Sequence, residues 1–239
     1  MRMLVRTLEY RDRLTEEERS AVLGLHGRTK KVGRGQDIVS QGTRPEESCM
    51  ILEGFAVRSQ TMLSGGRQFA SVHVPGDFVD LHAFTLKQLD HSVVALSAAT
   101  VLFIPHSQLL DITQRFPHLA RLFWLLTTVD GAIQRTWTTC QGRRAADAHL
   151  AHMICELYER LRLAGLTGAD MSFDFPATQV ELADMLGLST VHVNRTLQDI
   201  RSAGLISWQG QRIRILDLDR LKEFADFDPL YLNLQNEPR

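Results

Sequence analysis

Apolar positions along this chain change their spacing several times, and each spacing predicts a different element. Between residues 31 and 105 they fall in short runs: Asp37–Ser40, Cys49–Leu52, Phe55–Met62, Phe69–Val74, Val93–Leu96 and Val101–Ile104. Glycines recur between these runs at Gly33, Gly35, Gly42, Gly54, Gly65, Gly66 and Gly76. Many short strands with glycine turns predict a sandwich or barrel. Residues 1–30 read as a helical entry segment, with Thr15 and then Glu16, Glu17 and Glu18 as a helix start and Leu14, Val22 and Leu25 facing inward. Ser107 is placed to cap a short helix, and Pro117 suits the first turn of the next.

From Pro117 the period becomes helical. Leu119, Leu122, Leu126, Val129, Ile133, Thr136 and Cys140 step alternately by three and four. That is an a/d seam three heptads long, the pattern of a helix that pairs with a second copy. A helix lying on its own domain with a wider apolar face is the alternative. Phe123, Trp124 and Leu125 widen the face, so one side can lie on the chain and another on a partner. A second amphipathic helix spans Arg143–Leu163, with Leu150, Ile154, Leu157 and Leu161 on one stripe.

Two helices joined by a tight turn follow at Thr178–Ile206. Leu182, Met185 and Leu186 form the stripe of the first, Gly187 gives the turn its backbone freedom, and Leu188 plugs between them. Ser189 takes the N-cap position of the second helix, whose Val193, Leu197 and Ile200 point inward and which ends at Gly204. Its outward face carries Thr190, His192, Asn194, Arg195 and Gln198, short polar groups and an arginine suited to a DNA major groove. Many core hairpins share this geometry. Here Ile206–Leu216 alternates about Gln209-Gly210 as a β-hairpin, and a helix–turn–helix followed by a hairpin is a winged helix. Met171–Phe175 reads as a strand leading in, Asp219–Phe227 as a last helix, and 229–239 as a loose tail.

The run T-Q-x-E-L-A-x-x-L-G-L-S, then V-x-R-x-L, G-L-I, and I-x-I-L-D after the wing, resembles the DNA-binding domain of the CRP/FNR family of bacterial transcription regulators; the match is dense from about Arg143 to Leu221. G-Q-D-I-V-S-Q-G (35–42), I-L-E-G-F-A-V (51–57), S-G-G-R-Q (64–68) and H-V-P-G-D-F-V (73–79) resemble that family's β-roll. The resemblance implies an α+β protein: an antiparallel, cyclic-nucleotide-binding-like β-roll sensor at 1–116, a dimerisation helix at 117–142, a winged helix at 143–221, and a helix end and tail at 222–239. It also implies a homodimer on a two-fold symmetric operator, acting with RNA polymerase. Leu119, Leu122, Leu126, Val129, Ile133 and Cys140 would form the parallel interface, with the two copies of Cys140 facing each other.

Composition supports a cytoplasmic protein. With 44% hydrophobic and 23% charged residues the chain is ordinary for a globular protein. It has no 18-residue apolar run, and MRMLVRTLEYRDRL lacks the apolar core of a signal peptide. Net charge is −1, and residues 143–239 hold 11 Lys/Arg against 14 Asp/Glu. This does not advertise a nucleic-acid binder. Local charge is what counts, however, and Arg195, Arg201, Arg212 and Arg214 gather on the recognition helix and wing. No nucleophile elbow, phosphate loop or zincin motif points to an enzyme.

For the DNA interface, Arg195 is assigned to guanine, with Thr190, His192, Asn194 and Gln198 near other base edges. Thr178, Gln179, Ser189 and Arg212 stand nearest the phosphates. Family members carry a glutamate early in this helix. Thr190-Val191-His192 takes its place here, and Val191 suits a thymine methyl. For the effector, the family's cyclic-nucleotide binders use an acid for the ribose and an arginine for the phosphate. Residues 76–96 contain no arginine; His91-Ser92 stands in its place and Asp80 near the acid position. Asp80, His82, His91 and Ser92 are therefore the candidate pocket for an unidentified signal, and cAMP is not expected. An iron–sulfur cluster is not expected either, since no cysteine precedes Cys49, and Cys49, Cys140 and Cys155 are widely spaced. No metal is assigned to His73, His82, His91 or His106, because no pair has ligand spacing on one element, nor to His149 and His152. A redox- or metal-responsive regulator of the same fold, sensing through Cys or His, is the alternative function.

Overall fold

The computed structural model describes residues 1–239. The entry segment is two helices, α1 (Arg2–Glu9) and α2 (Glu16–Gly24). Thr15 caps α2 through a reciprocal capping box with Glu18. Leu4, Val5 and Leu8 of α1 are buried. The strands β1 (Arg28–Val32) to β7 (Ala99–Pro105) form two antiparallel sheets, in the orders β1-β7-β3 and β2-β6-β4-β5. Here β2 is Asp37–Val39, β3 Glu47–Glu53, β4 Ala56–Thr61, β5 Arg67–His73 and β6 Ser92–Ala95, with the short helix α3 (Ala83–Leu86) before β6. Alternating residues such as Ile51, Val93, Val101 and Phe103 fill the space between the sheets. The first strand escapes the sequence pattern because R-T-K-K-V is exposed except at Val32 and pairs along the edge of β7.

After α4 (His106–Arg115) the long helix α5 (Pro117–Arg143) begins with Pro117 in its first turn. No side chain caps α4, so Ser107 lies inside it rather than at its N-cap. A break at Arg144-Ala145 separates α5 from α6 (Ala146–Ala164). The winged helix follows: β8 (Ser172–Asp174), α7 (Gln179–Leu186), α8 (Thr190–Ser202), β9 (Ile206–Gln209), β10 (Arg212–Ile215) and α9 (Leu218–Ala225), with sheet order β8-β10-β9.

The inward stripe of α5 requires a correction. Leu119, Leu122, Val129, Ile133 and Cys140 are all buried within the single chain, at 0–7% exposure. Five of the six predicted seam residues are thus already covered within one chain, by the roll, α6 and the C-terminal segment, while Leu126 is half-buried, and Cys140 does not face outward. A heptad marks a helix's apolar stripe but says nothing about what covers it, and on α5 the wider face won. The exposed line of α5 runs through Arg121, Trp124, Thr128 and Arg135. The tail is a second correction. Pro229–Leu232 forms a 3-10 turn with Leu232 buried. The last residues pack on the loop that follows α1: Glu237 N donates to Arg11 O, and Arg239 N to Asp12 Oδ2.

One buried network ties these parts together. Glu156 of α6 is wholly buried and accepts from Trp137 Nε1 of α5 (3.1 Å), Tyr231 OH of the tail (2.8 Å) and Arg160 Nη1 (3.0 Å). Arg160 Nη2 reaches Asp77 of the roll at 2.6 Å. Burial raises the Glu156 carboxyl, while Asp77 and Glu156 outweigh burial to hold the Arg160 guanidinium firmly charged. Around this network a core of 35 residues runs from Phe55, Val57 and Phe69 of the roll through Val129 and Ile133 of α5 into the winged helix.

Two expected outcomes follow from these contacts. Glu156→Ala strands Arg160, Trp137 and Tyr231 without their shared acceptor, a loss of about 3–5 kcal/mol readable by urea denaturation. Where α5 meets α2 and the loop before it, His118 bridges Glu18 (2.9 Å) and Asp12 (3.0 Å). Burial alone would raise the Asp12 carboxyl. Hydrogen bonds from His118 and the backbone of Arg13 and Arg239 outweigh it and hold the carboxyl below its usual 3.8. A depressed carboxyl stabilises the fold above its unfolded-state value, and that contribution is lost as pH falls below about 4. Thermal melts of Asp12→Asn should therefore lie below wild type near neutrality and converge toward it in acid.

Candidate DNA interface and sensor pocket

The helix–turn–helix is built by local rules. Thr178 caps α7 through a capping box with Glu181. Gly187, at φ +68°, turns the chain where a side chain would be strained. Ser189 Oγ accepts from His192 N to cap α8. Val193, Leu197 and Ile200 are buried, together with Thr196. Opposite them Thr190, Val191, His192, Arg195 and Gln198 are exposed, Val191 at 79%.

Other members of the predicted interface are engaged inside the domain. Asn194 Nδ2 donates to Gln179 Oε1 at 3.0 Å, locking the start of α7 to α8. Arg212 donates to Asp174 (3.1 Å) and Ser172 Oγ (2.6 Å), and Arg201 donates to Trp208 O. Arg212 can reach a phosphate only by leaving these partners.

The back of α7 rests on the roll. Arg67 of β5 pairs with Asp184 through Nε (2.9 Å) and Nη2 (2.5 Å), and Gln68 Nε2 donates to Asp184 O (2.7 Å). Arg34 pairs with Glu181 and donates to Pro176 O. No sequence motif marks these contacts, since the partners lie more than 100 residues apart.

Beneath the roll, a cavity of about 80 Å³ lies between β5, α5, α6 and the tail, lined among others by His73, Asp77, His82, Leu126, Asp130 and Arg160. That is room for several waters or a small solute. The four predicted pocket residues separate. Ser92 Oγ accepts from Gln41 N outside the cavity. Asp80 is buried in the roll, where Oδ1 accepts from Cys49 N at 2.5 Å and Oδ2 has no partner; burial pushes its carboxyl up to about 7. His82 and His91 come together, with ring centroids 5.1 Å apart. Burial, and then Arg58, lowers both imidazoles, His82 to about 4.

The arginine missing from residues 76–96 is supplied by β4. Arg58, 7% exposed, enters from A-V-R-S-Q-T and pairs with Asp130 of α5 (2.9 Å), while its Nε donates to His91 Nε2 (3.0 Å). The signal for it was a charged residue inside an otherwise buried strand run.

His149 and His152 belong to the core, His152 lying 5.0 Å from Phe227 and 5.8 Å from Tyr231. All three cysteines are free and buried, and burial raises their thiols, Cys155 to about 12.

A roll with a small cavity beneath it, a long helix across it and a winged helix presenting an open polar face define the architecture of a DNA-binding transcription regulator. The profile of the cyclic nucleotide-binding domain matches residues 29–116, and that of the Crp-like helix-turn-helix domain matches residues 148–224. The chain is 27% identical to the transcriptional activator protein FnrL of Cereibacter sphaeroides over 198 residues, covering 81% of this chain and 79% of the relative. It is 28% identical to the anaerobic regulatory protein of Haemophilus influenzae, covering 89% and 82%. FixK2 from Bradyrhizobium japonicum shares its fold at a TM-score of 0.76 and 20% identity, with 85% of this chain and all of that one aligned. The protein belongs to the CRP/FNR family of transcription regulators, with a Crp-like helix–turn–helix DNA-binding domain, and its relatives are regulators rather than enzymes. No helix is long and apolar enough to cross a membrane.

The capping box gives a direct check on α7. Thr178→Ala should cost about 1 kcal/mol in thermal unfolding, because the Glu181 backbone N–H loses its acceptor.

Proposed function

We propose that the protein works in the cytoplasm as a homodimer that binds a two-fold symmetric operator sequence-specifically, under a signal received at the roll, and acts with RNA polymerase. The observation that carries this reading is the exposed face of α8, where Arg195 stands between buried Val193 and Leu197 with its side chain in solvent. An arginine fork so placed pairs the two major-groove acceptors of guanine.

The exposed line of α5 supports the dimer. Trp124 is 73% exposed and borders an apolar groove formed with Leu81, Phe84 and Phe123. A second α5 packed along Trp124 and Thr128 covers that surface, in place of the seam the heptad marks. cAMP does not fit this reading, because Arg58 is already committed to Asp130 and His91 and the cyclic phosphate would have to displace both. Between the redox and metal versions of the alternative, burial of all three thiols weighs against a reactive cysteine, while the approach of His82 to His91 favours a metal.

Selection from random duplexes tests the function: wild type should enrich a palindrome with half-sites about one helical turn apart. Arg195→Ala should fold normally and lose about 1–3 kcal/mol of discrimination per half-site at one symmetric guanine pair. An unchanged preference would assign Arg195 to phosphate or protein. Trp124→Glu should sediment as a monomer; a dimer of unchanged strength would move the interface off this face.

A further inference from the structure

Three groups that no sequence spacing connects converge where the end of the roll meets α5. His82 stands just before α3, and Asp90 and His91 just before β6. One ligand atom from each lies within 4.8 Å of the others. Two features distinguish this cluster from scattered surface histidine. His82 Nε2 is buried with no hydrogen-bond partner, a costly state that a ligand would relieve. The Asp90 carboxylate is 76% exposed while His91 is 6% exposed, so the cluster has a solvent entrance and a closed floor. An anion is a poor occupant, because the nearby cation Arg58 already faces Asp130 at 2.9 Å.

We propose that His82, Asp90 and His91 form a binding site for one divalent transition cation of the zinc type, and that this cation is the signal the roll reads. Two imidazoles and a carboxylate are the donor set such ions take, with a fourth position open to water. The proposal rests on the reading of the protein as a regulator only for its second half; ion binding itself does not require DNA.

The geometry also states what binding does. His91 Nδ1 lies 2.6 Å from Asp90 Oδ1 and donates to it, while Nε2 accepts from Arg58 Nε at 3.0 Å. If the cation takes Nε2, it displaces Arg58 directly. If it takes Nδ1, the ring proton leaves that nitrogen, and a neutral ring then carries it on Nε2, where it meets the Arg58 N–H head-on. By either route the Arg58–His91 bond is lost, and Arg58 is left to Asp130 on α5. Ion occupancy is thereby coupled to the long helix and, through the shared core, to the winged helix.

The test is titration of Zn²⁺ into the chelator-stripped full chain, in competition with a chromophoric chelator. Co²⁺ absorbance serves as a second probe of coordination. Wild type should take up one ion per chain. Asp90→Asn, at an exposed side chain, and His82→Gln should each weaken binding at least about tenfold, with circular dichroism checking that both variants fold. Arg58→Met should tighten binding, because the ion no longer has to break the bond to His91 and a neighbouring cation is removed. His26→Gln, an exposed control, should change nothing. Equal zinc affinity in wild type, Asp90→Asn and His82→Gln, or weaker binding in Arg58→Met, overturns the site. An operator shift that proceeds identically with and without Zn²⁺, in protein shown to bind the ion, overturns its role as the signal. Loss of operator binding in both conditions would instead count against the regulator reading and leave the ion site standing.

Discussion

The carboxylate of Glu156 sits at 0% exposure among groups from three parts of the chain, and the arrangement of those parts depends on keeping it satisfied. A buried charge without partners would be expelled or neutralised. Here Arg160 balances it, Trp137 and Tyr231 fill its remaining acceptor positions, and Asp77 balances the second arm of Arg160. Such a network adds little net stability over an apolar substitute but is costly to break. Its effect is specificity of arrangement: α6 supplies Glu156 and Arg160, and α5, the tail and the roll supply one member each, so none can shift without stranding another.

This arrangement explains why the apolar stripe of α5 turns inward. Ile133 and Val129 continue the core that holds Trp137 in hydrogen-bonding reach of Glu156. With that face occupied, Trp124 and Thr128 remain as the open side of the helix. The same packing sets Asp130 one turn from Ile133, where it meets Arg58 and through it His91. The His82–His91 cluster, the long helix and the DNA-binding domain are thus linked by contacts between neighbours. A change at His91 has a short route to α5, and the ion pairs Arg67–Asp184 and Arg34–Glu181 provide a second contact between roll and α7.

The winged helix was legible because its signals are local. Thr178 with Glu181, Gly187, Ser189 and the Gln209-Gly210 turn each act within a few residues, and each does in the structure what its chemistry dictates. The roll was legible strand by strand from glycine punctuation, except for β1, whose exposed lysines hide its pairing with β7. What failed to show were relations between distant residues. The heptad of α5 gave the stripe but not its cover. The tail looked loose because D-P-L-Y-L-N-L carries no period, yet Tyr231 and Leu232 dock on the core. Arg58 was passed over, although it is a charged residue in a buried strand run, because the family pattern places its arginine on another element. His82 and His91 were nine positions apart, with no shared helix or strand to align them.

The central claim is that roll, long helix and winged helix share one core through Arg160. Native-state hydrogen exchange under increasing denaturant measures it directly, because each cooperative unit reports its own opening free energy. The account predicts that amides of β5, α6 and α7 merge into one opening in wild type, and that Arg160→Met splits α7 and α8 off at a lower free energy. A winged helix that already opens separately from β5 in wild type would contradict it.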